Sequence, residues 1–325
     1  MSRISLRRLR QDPHIRALTR EVRPAAEQFI QPLFVVEGLA AREEVPGLTG
    51  VYRDTPDSLL AQIEADLAAG VSKFLLFCVP EGKQTHNVDW SFNAGQIAAI
   101  KRRFGSTVWL AVDVCLCSST PHGHCGVLNP EGDHVDNLAS VKELAAAAAA
   151  YAAAGADCVA PSDMMDGRIG AIRAALEDAG LDRTLLMSYS AKFHSNYYGP
   201  FRVAADSAPK QASKLTDRAS YQIDPARPGD ALLSTERDVA EGADILMVKP
   251  GMPYLDILAD LSRQFPQPWA VYEVSGEYAS IELLAQQGLT NRINAHREAW
   301  TALVRAGASM IISYGARHAR EWLAA

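Results

Sequence analysis

Short apolar runs recur along the chain, each bounded by turn residues: Gln31–Glu37, Lys73–Val79, Val108–Leu116, Cys158–Ser162, Leu185–Lys192, Ile245–Pro250, Ala270–Ser275 and Met310–Tyr314. They are continuous rather than alternating, which predicts strands covered on both faces. Between them lie amphipathic or Ala-rich stretches of helical length, among them Ser58–Ala69, Phe92–Phe104, Leu138–Ala154, Gly167–Ala179, Asp256–Gln264, Ile281–Gln287 and Asn294–Ala306. Gly70, Gly155, Gly180, Gly242, Gly288 and Gly307 each follow a helical segment, where a left-handed terminator suits glycine. The low-complexity Ala145–Ala154 needs no special role, because alanine is the strongest helix former.

Eight strands alternating with helices imply a closed barrel or a doubly wound open sheet. No G-x-G-x-x-G follows the first strand, so the simplest dinucleotide-binding sheet is excluded. A barrel also gathers reactive residues at strand C-termini. Asp113, Ser162, Asp163, Lys192, Lys249, Ser275 and Tyr314 close six of the runs, which favours the barrel. The predicted fold class is α/β: a single (β/α)8 TIM barrel over residues 29–325, preceded by an N-terminal arm over residues 1–28. The arm is charged and arginine-rich, but Leu6, Leu9, Ile15, Leu18 and Val22 recur at near-helical spacing. That pattern favours packing on a neighbouring subunit, and hence a homo-oligomer, over the alternative of a frayed terminus.

With 325 residues, 48% of them hydrophobic, the chain can bury one large core. Its net charge of -6 argues against a nucleic-acid partner, which would need a basic patch. No apolar run reaches the roughly 18 residues that span a bilayer, so no membrane association is expected. The basic MSRISLRRLR is followed by no apolar core and does not resemble a secretion signal, which points to the cytoplasm.

Three of the five cysteines cluster: Cys115, Cys117 and Cys125 in DVCLCSSTPHGHC. Thiolates select zinc over magnesium, and three at a strand end can hold one ion with a fourth position open, the arrangement of catalytic zinc. The alternative is three buried thiols without an ion. His122 and His124 are candidate ligands, supporting donors or solvated loop residues. Cys78 and Cys158 lie alone on apolar strands and read as core.

Lys192 and Lys249 are each the only charge at the end of an apolar strand. Desolvation and mutual repulsion lower lysine pKa values and raise the fraction of free amine, the form that attacks a ketone to give a Schiff base. A salt bridge to a barrel acid is the competing role for either one. A class I aldolase would need only one such lysine and no cysteine cluster. A catalytically idle zinc scaffold would form no adduct.

The stretches DVCLCSSTPHGHCG, APSDMMDGRIGAIR, MSYSAKFHSNYYGPFR, LMVKPGMPYLDIL and VYEVSGEYA, with the early REVRPAAEQFIQPLFVVEG, resemble the porphobilinogen synthase (5-aminolevulinate dehydratase) family. The resemblance implies a barrel with an N-terminal arm, usually an octamer, which condenses two 5-aminolevulinate molecules on Lys192 and Lys249. It implies that Cys115, Cys117 and Cys125 bind one zinc ion per subunit. Arg202, Arg218 and Gln222 would hold one substrate carboxylate and Ser275 and Tyr314 the other, with Asp113 and Ser162 lining the same pocket.

Several positions depart from the family pattern. Val203 replaces an aspartate common after GPFR, and the lid loop Asp206–Asp217 is not of the usual Gly/Ser-rich form. Ser234 stands where magnesium-activated members carry a glutamate, so an allosteric Mg2+ is expected to be absent. Ser220 replaces a cysteine found in some members, and Gly315 an aromatic residue.

Overall fold

The computed structural model describes residues 6–210 and 214–324. Eight parallel strands form the barrel: β1 (Phe29–Val36), β2 (Lys73–Val79), β3 (Trp109–Val114), β4 (Cys158–Pro161), β5 (Leu185–Lys192), β6 (Ile245–Lys249), β7 (Trp269–Tyr272) and β8 (Met310–Ile312). Each pairs with the next in sequence, and β8 returns to β1 through Phe29↔Ile311 and Ile30↔Ile312, closing the ring. The expected α/β barrel is therefore present, and its first strand starts two residues before the apolar run Gln31–Glu37.

Alternate side chains divide between two layers, as the strand period of two requires. Leu110, Val112, Leu246, Val248, Val271 and Ile311 join the layer beneath the helices. Ile30, Ala111, Met187, Tyr189, Met247, Ala270, Tyr272 and Ile312 fill the barrel interior. By the same parity Lys249 points inward with Met247.

One element was marked in the sequence only by the glycine after it, Gly242, and one differs from the sequence expectations. A helix over Pro228–Ala240 precedes β6, and its buried face is Ala231, Ser234, Thr235 and Asp238. It carries no apolar stripe because Asp238 meets the fully buried Arg168, which also donates to Ser188 Oγ. The seventh strand ends at Tyr272, and Ser275 opens the helix Ser275–Gln286 rather than closing the strand. Gly315 is explained by its neighbours. A Cβ there would lie 3.0 Å from Trp300 and 3.2 Å from Trp322, two stacked rings that already fill the space.

Before β1, a 3-10 turn (Leu6–Leu9) and a helix (Pro13–Leu18, capped by Asp12) lie on the outside. Leu6 and Leu18 are 59% and 76% exposed, so this chain alone does not cover the arm's apolar side chains. No described helix is long and apolar enough to cross a membrane.

Candidate active site

Lys192 and Lys249 end adjacent strands and are paired in register. Both are buried, at 4% and 3% exposure. Lys249 Nζ lies 4.1 Å from the Tyr272 ring centroid, 4.9 Å from Phe201, 5.0 Å from Tyr189 and 5.5 Å from Tyr198. Aromatic faces attract a cation only in part, and they replace the water that would otherwise solvate it. Burial, and then the charge of Lys192, push Lys249 down to about 7, with Asp113 pulling the other way. Lys192 Nζ donates to the Ser162 carbonyl and lies 5.6 Å from the Tyr189 ring centroid.

Asp113 is the carboxylate of this group. Burial raises it to about 6, against the two lysines and a hydrogen bond with Ser162. Its Oδ1 has no hydrogen-bond partner, and neither does the Tyr189 hydroxyl. Asp113, Ser162, Lys192 and Lys249 share one end of the barrel. The aromatic walls were missed, although Tyr189 and Tyr272 sit on inward-facing positions that strand parity could have identified.

The cysteines lie beyond β3. Cys115 and Cys117 have sulfurs 3.2 Å apart, and the three Sγ atoms of Cys115, Cys117 and Cys125 lie within 4.8 Å of one another. Zinc–sulfur bonds of about 2.3 Å in tetrahedral geometry put sulfurs roughly 3.7 Å apart, so the cluster matches the size of one ion. Burial and its two neighbours push the Cys115 thiol well up, whereas hydrogen bonds from Cys115 and Cys117, aided by Arg218, hold Cys125 well down.

His124 lies 3.1 Å from both the Tyr221 hydroxyl and the Leu215 carbonyl. The Tyr221 hydroxyl also accepts from the Cys125 N–H. His122 Nδ1 accepts the His124 N–H, and burial lowers that ring to about 4, so it is neutral. Both histidines thus brace the cysteine loop. Tyr221 was not singled out from the sequence, where a lone tyrosine beside Gln222 carries no signal.

Arg202, Arg218 and Gln222 approach from the segments after β5. Arg218 is 3% exposed and donates to the Gly123 and Ser207 carbonyls. Nε of both arginines and both amide atoms of Gln222 are buried without partners. Burial, then Arg218, lowers Arg202. Two guanidinium N–H groups and an amide N–H2 are thus left able to donate to an anion.

Ser275 and Tyr314 are placed less openly. Ser275 Oγ accepts the Phe201 N–H at 3.1 Å and donates to the Tyr197 carbonyl at 3.2 Å, while Tyr314 pairs with the Tyr272 hydroxyl at 3.3 Å. The expected lid, Asp206–Asp217, includes residues 211–213, which lie outside the described part. Its described ends close over the cysteine loop. Lys210 N–H donates to the His122 carbonyl, and Asp206 pairs with Lys83 at 3.3 Å. Gly123 has φ +74°, and a Cβ there would meet the Ala208 carbonyl oxygen at 2.3 Å.

Ser234 Oγ accepts from Arg237, whose guanidinium also pairs with Asp166 and Asp238. Ser234, Arg237 and Asp166 line a cleft of about 560 Å³ that also reaches Gln222.

A family profile for delta-aminolevulinic acid dehydratase matches residues 3–322. The delta-aminolevulinic acid dehydratase of Helicobacter pylori is 42% identical over 322 residues, covering 97% of this chain and 96% of that one. Its Bacillus subtilis counterpart is 39% identical over 322 residues, covering 98% and 97%. The crystal structure of the Toxoplasma gondii delta-aminolevulinic acid dehydratase (porphobilinogen synthase), in complex with the reaction product porphobilinogen, superposes with a TM-score of 0.93 at 35% identity. It covers 99% of this chain and 92% of that one. Because the likeness runs from the arm to the last helix, in sequence and in backbone alike, the chain belongs to the delta-aminolevulinic acid dehydratase (porphobilinogen synthase) family.

Proposed function

We propose that this enzyme condenses two molecules of 5-aminolevulinate into porphobilinogen with loss of two waters, and that Lys249 and Lys192 each hold one substrate as a Schiff base. The observation that carries the reading is the pair of buried lysines in register at the end of β5 and β6. In forming a Schiff base, a free amine attacks the substrate ketone and the carbonyl oxygen leaves as water. A lysine lowered to about 7 has that amine at neutral pH. Asp113 and Ser162 sit beside the two amines and can move protons as the water leaves.

Arg202, Arg218 and Gln222 hold one substrate carboxylate, in keeping with their buried, unpartnered atoms. Ser275 and Tyr314 hold the other, which requires Ser275 to exchange its bonds with Tyr197 and Phe201 for the substrate. Cys115, Cys117 and Cys125 would hold zinc, and that ion would supply a Lewis acid to polarise a carbonyl or acidify water. Ser234, already engaged by Arg237, takes no magnesium in this reading. The arm, residues 1–28, covers its exposed leucines on another copy, and the assembly is an octamer. Five free cysteines suit a reducing compartment, the cytoplasm.

The test is to incubate the protein with 5-aminolevulinate, reduce with borohydride and map modified lysines by mass spectrometry. Adducts are expected at Lys249 and Lys192. Labelling at neither would defeat the mechanism.

A further inference from the structure

Glu277 lies in the first turn of the helix Ser275–Gln286 and is 6% exposed, yet it pairs with no cation. Its carboxylate instead collects three backbone donors from two segments. The Gly251 N–H and Val274 N–H donate to Oε2 at 3.1 and 2.8 Å, and the Met252 N–H donates to Oε1 at 2.5 Å. Gly251 and Met252 follow Lys249 after Pro250, and Val274 precedes Ser275. One side chain therefore ties the turn that leaves the lysine strand to the turn that carries the serine.

The other contacts of both turns make this a junction. The Lys249 carbonyl accepts from the Phe193 N–H at 2.9 Å and lies 3.4 Å from the donating Tyr198 hydroxyl. Ser275 holds Tyr197 and Phe201, and Phe201 is a wall of the lysine pocket. At Gly251 a Cβ would lie 2.9 Å from Leu303 and 3.3 Å from the Tyr272 carbonyl oxygen, so that turn has little freedom of its own. Burial pushes the Glu277 carboxyl up to about 8, and the three N–H groups pull it down. A buried carboxyl group with no cation beside it among the described residues needs such donors aimed at its oxygens.

We infer that Glu277 is a positioning residue that fixes Lys249 relative to the Ser275 turn, and so sets the span between the amine and the carboxylate end of one bound substrate. The inference rests on the Schiff-base reading above. Positioning of this kind acts on the near-attack geometry of a reacting amine rather than on the barrel as a whole.

In Glu277→Gln an amide N–H2 replaces one acceptor oxygen and faces a backbone donor, so at least one of the three bonds is lost. Leaving a buried N–H donor without its acceptor costs about tenfold or more in an equilibrium that depends on it. The experiment uses the full-length, zinc-loaded protein with 5-aminolevulinate and borohydride, and quantifies adducts at Lys249 and Lys192 separately, together with kcat and KM. Glu277→Gln is expected to reduce the Lys249 adduct about tenfold while the Lys192 adduct is retained, and Glu277→Asp to restore part of the loss. Adducts unchanged at both lysines would overturn the inference. An equal loss at both would also overturn it, because the carboxylate would then support the barrel generally. If the parent protein forms no adduct at either lysine, the Schiff-base reading itself fails and takes this inference with it.

Discussion

Replacing Lys249 with methionine should stabilise the protein while abolishing its activity, and the size of the gain follows from the site. The lysine is fully enclosed by Tyr189, Tyr198, Phe201 and Tyr272 and faces a second ammonium, so its folded-state pKa drops from 10.5 to about 7. A proton bound more weakly in the folded than in the unfolded state penalises folding. Here the penalty is about 4 kcal/mol at pH 7. It is fully present below pH 7, where both states are protonated. It shrinks as pH rises, because the unfolded chain alone still holds the proton, and it vanishes above about 10.5. Methionine has a similar length and no charge, so Lys249→Met should be more stable by about 2–4 kcal/mol at pH 6–7, once imperfect packing is allowed for. The gain should fall towards zero by pH 10. Urea unfolding of both proteins at equal concentration, from pH 6 to pH 10, measures this difference. A variant no more stable than the parent at pH 6, or a gain that does not change with pH, would refute the claim that the barrel holds this lysine at an energetic cost.

Three other outcomes are expected. Lys192→Met removes the second cause of the Lys249 shift, so the acid limb of adduct formation at Lys249 should move to higher pH; a limb that stays or moves down would contradict the repulsion. Cys115→Ala should lower bound zinc and porphobilinogen formation together, measured by metal analysis and product assay, and activity that survives full chelation would show the cluster is not catalytic. Gly123→Ala places a Cβ against the Ala208 carbonyl in a left-handed conformation, at a cost of about 1–3 kcal/mol. It should loosen the loop beyond Asp206, raising KM and speeding tryptic cleavage at Lys210, and an unchanged digestion pattern would refute the close approach.

Much of this was legible in the sequence, for reasons that differ by element. The strands were readable because barrel strands are apolar on both faces. The cysteines and lysines were readable because their chemistry breaks an apolar run at its end. The helix Pro228–Ala240 was signalled only at its end, by Gly242, because its buried face serves the ion pair of Arg168 and Asp238, so Ser234, Thr235 and Asp238 stand where apolar residues would mark its extent. Ser275 was misplaced because Tyr272 and Val274, on either side of Glu273, extend the strand's texture, while the event that ends the strand, Glu277 reaching back to the Val274 N–H, lies three residues downstream. The unsatisfied atoms of Gln222, Arg202 and Arg218 have no sequence signature at all, since partnership is a property of three-dimensional space.

The convergence of the two lysines depends on one detail that no periodicity would reveal. On β6, inward positions alternate through Ile245 and Met247 to Lys249. On β5, Met187 and Tyr189 face inward, and strict alternation would then make Ala191 inward and turn Lys192 out towards the helices. The pairing shows how this is avoided. Leu246 pairs with Ser188 and Val248 with Ala191, so three steps on β5 match two on β6. That extra residue is a β-bulge, which shifts the side-chain parity of everything after it. Ala191 joins the layer under the helices, and Lys192 lies over the same Tyr189 ring that Lys249 faces. A bulge costs a ladder hydrogen bond and a local bend. Its return here is two amines on one aromatic floor, where burial first and the charge of Lys192 second lower Lys249 towards a free amine at neutral pH.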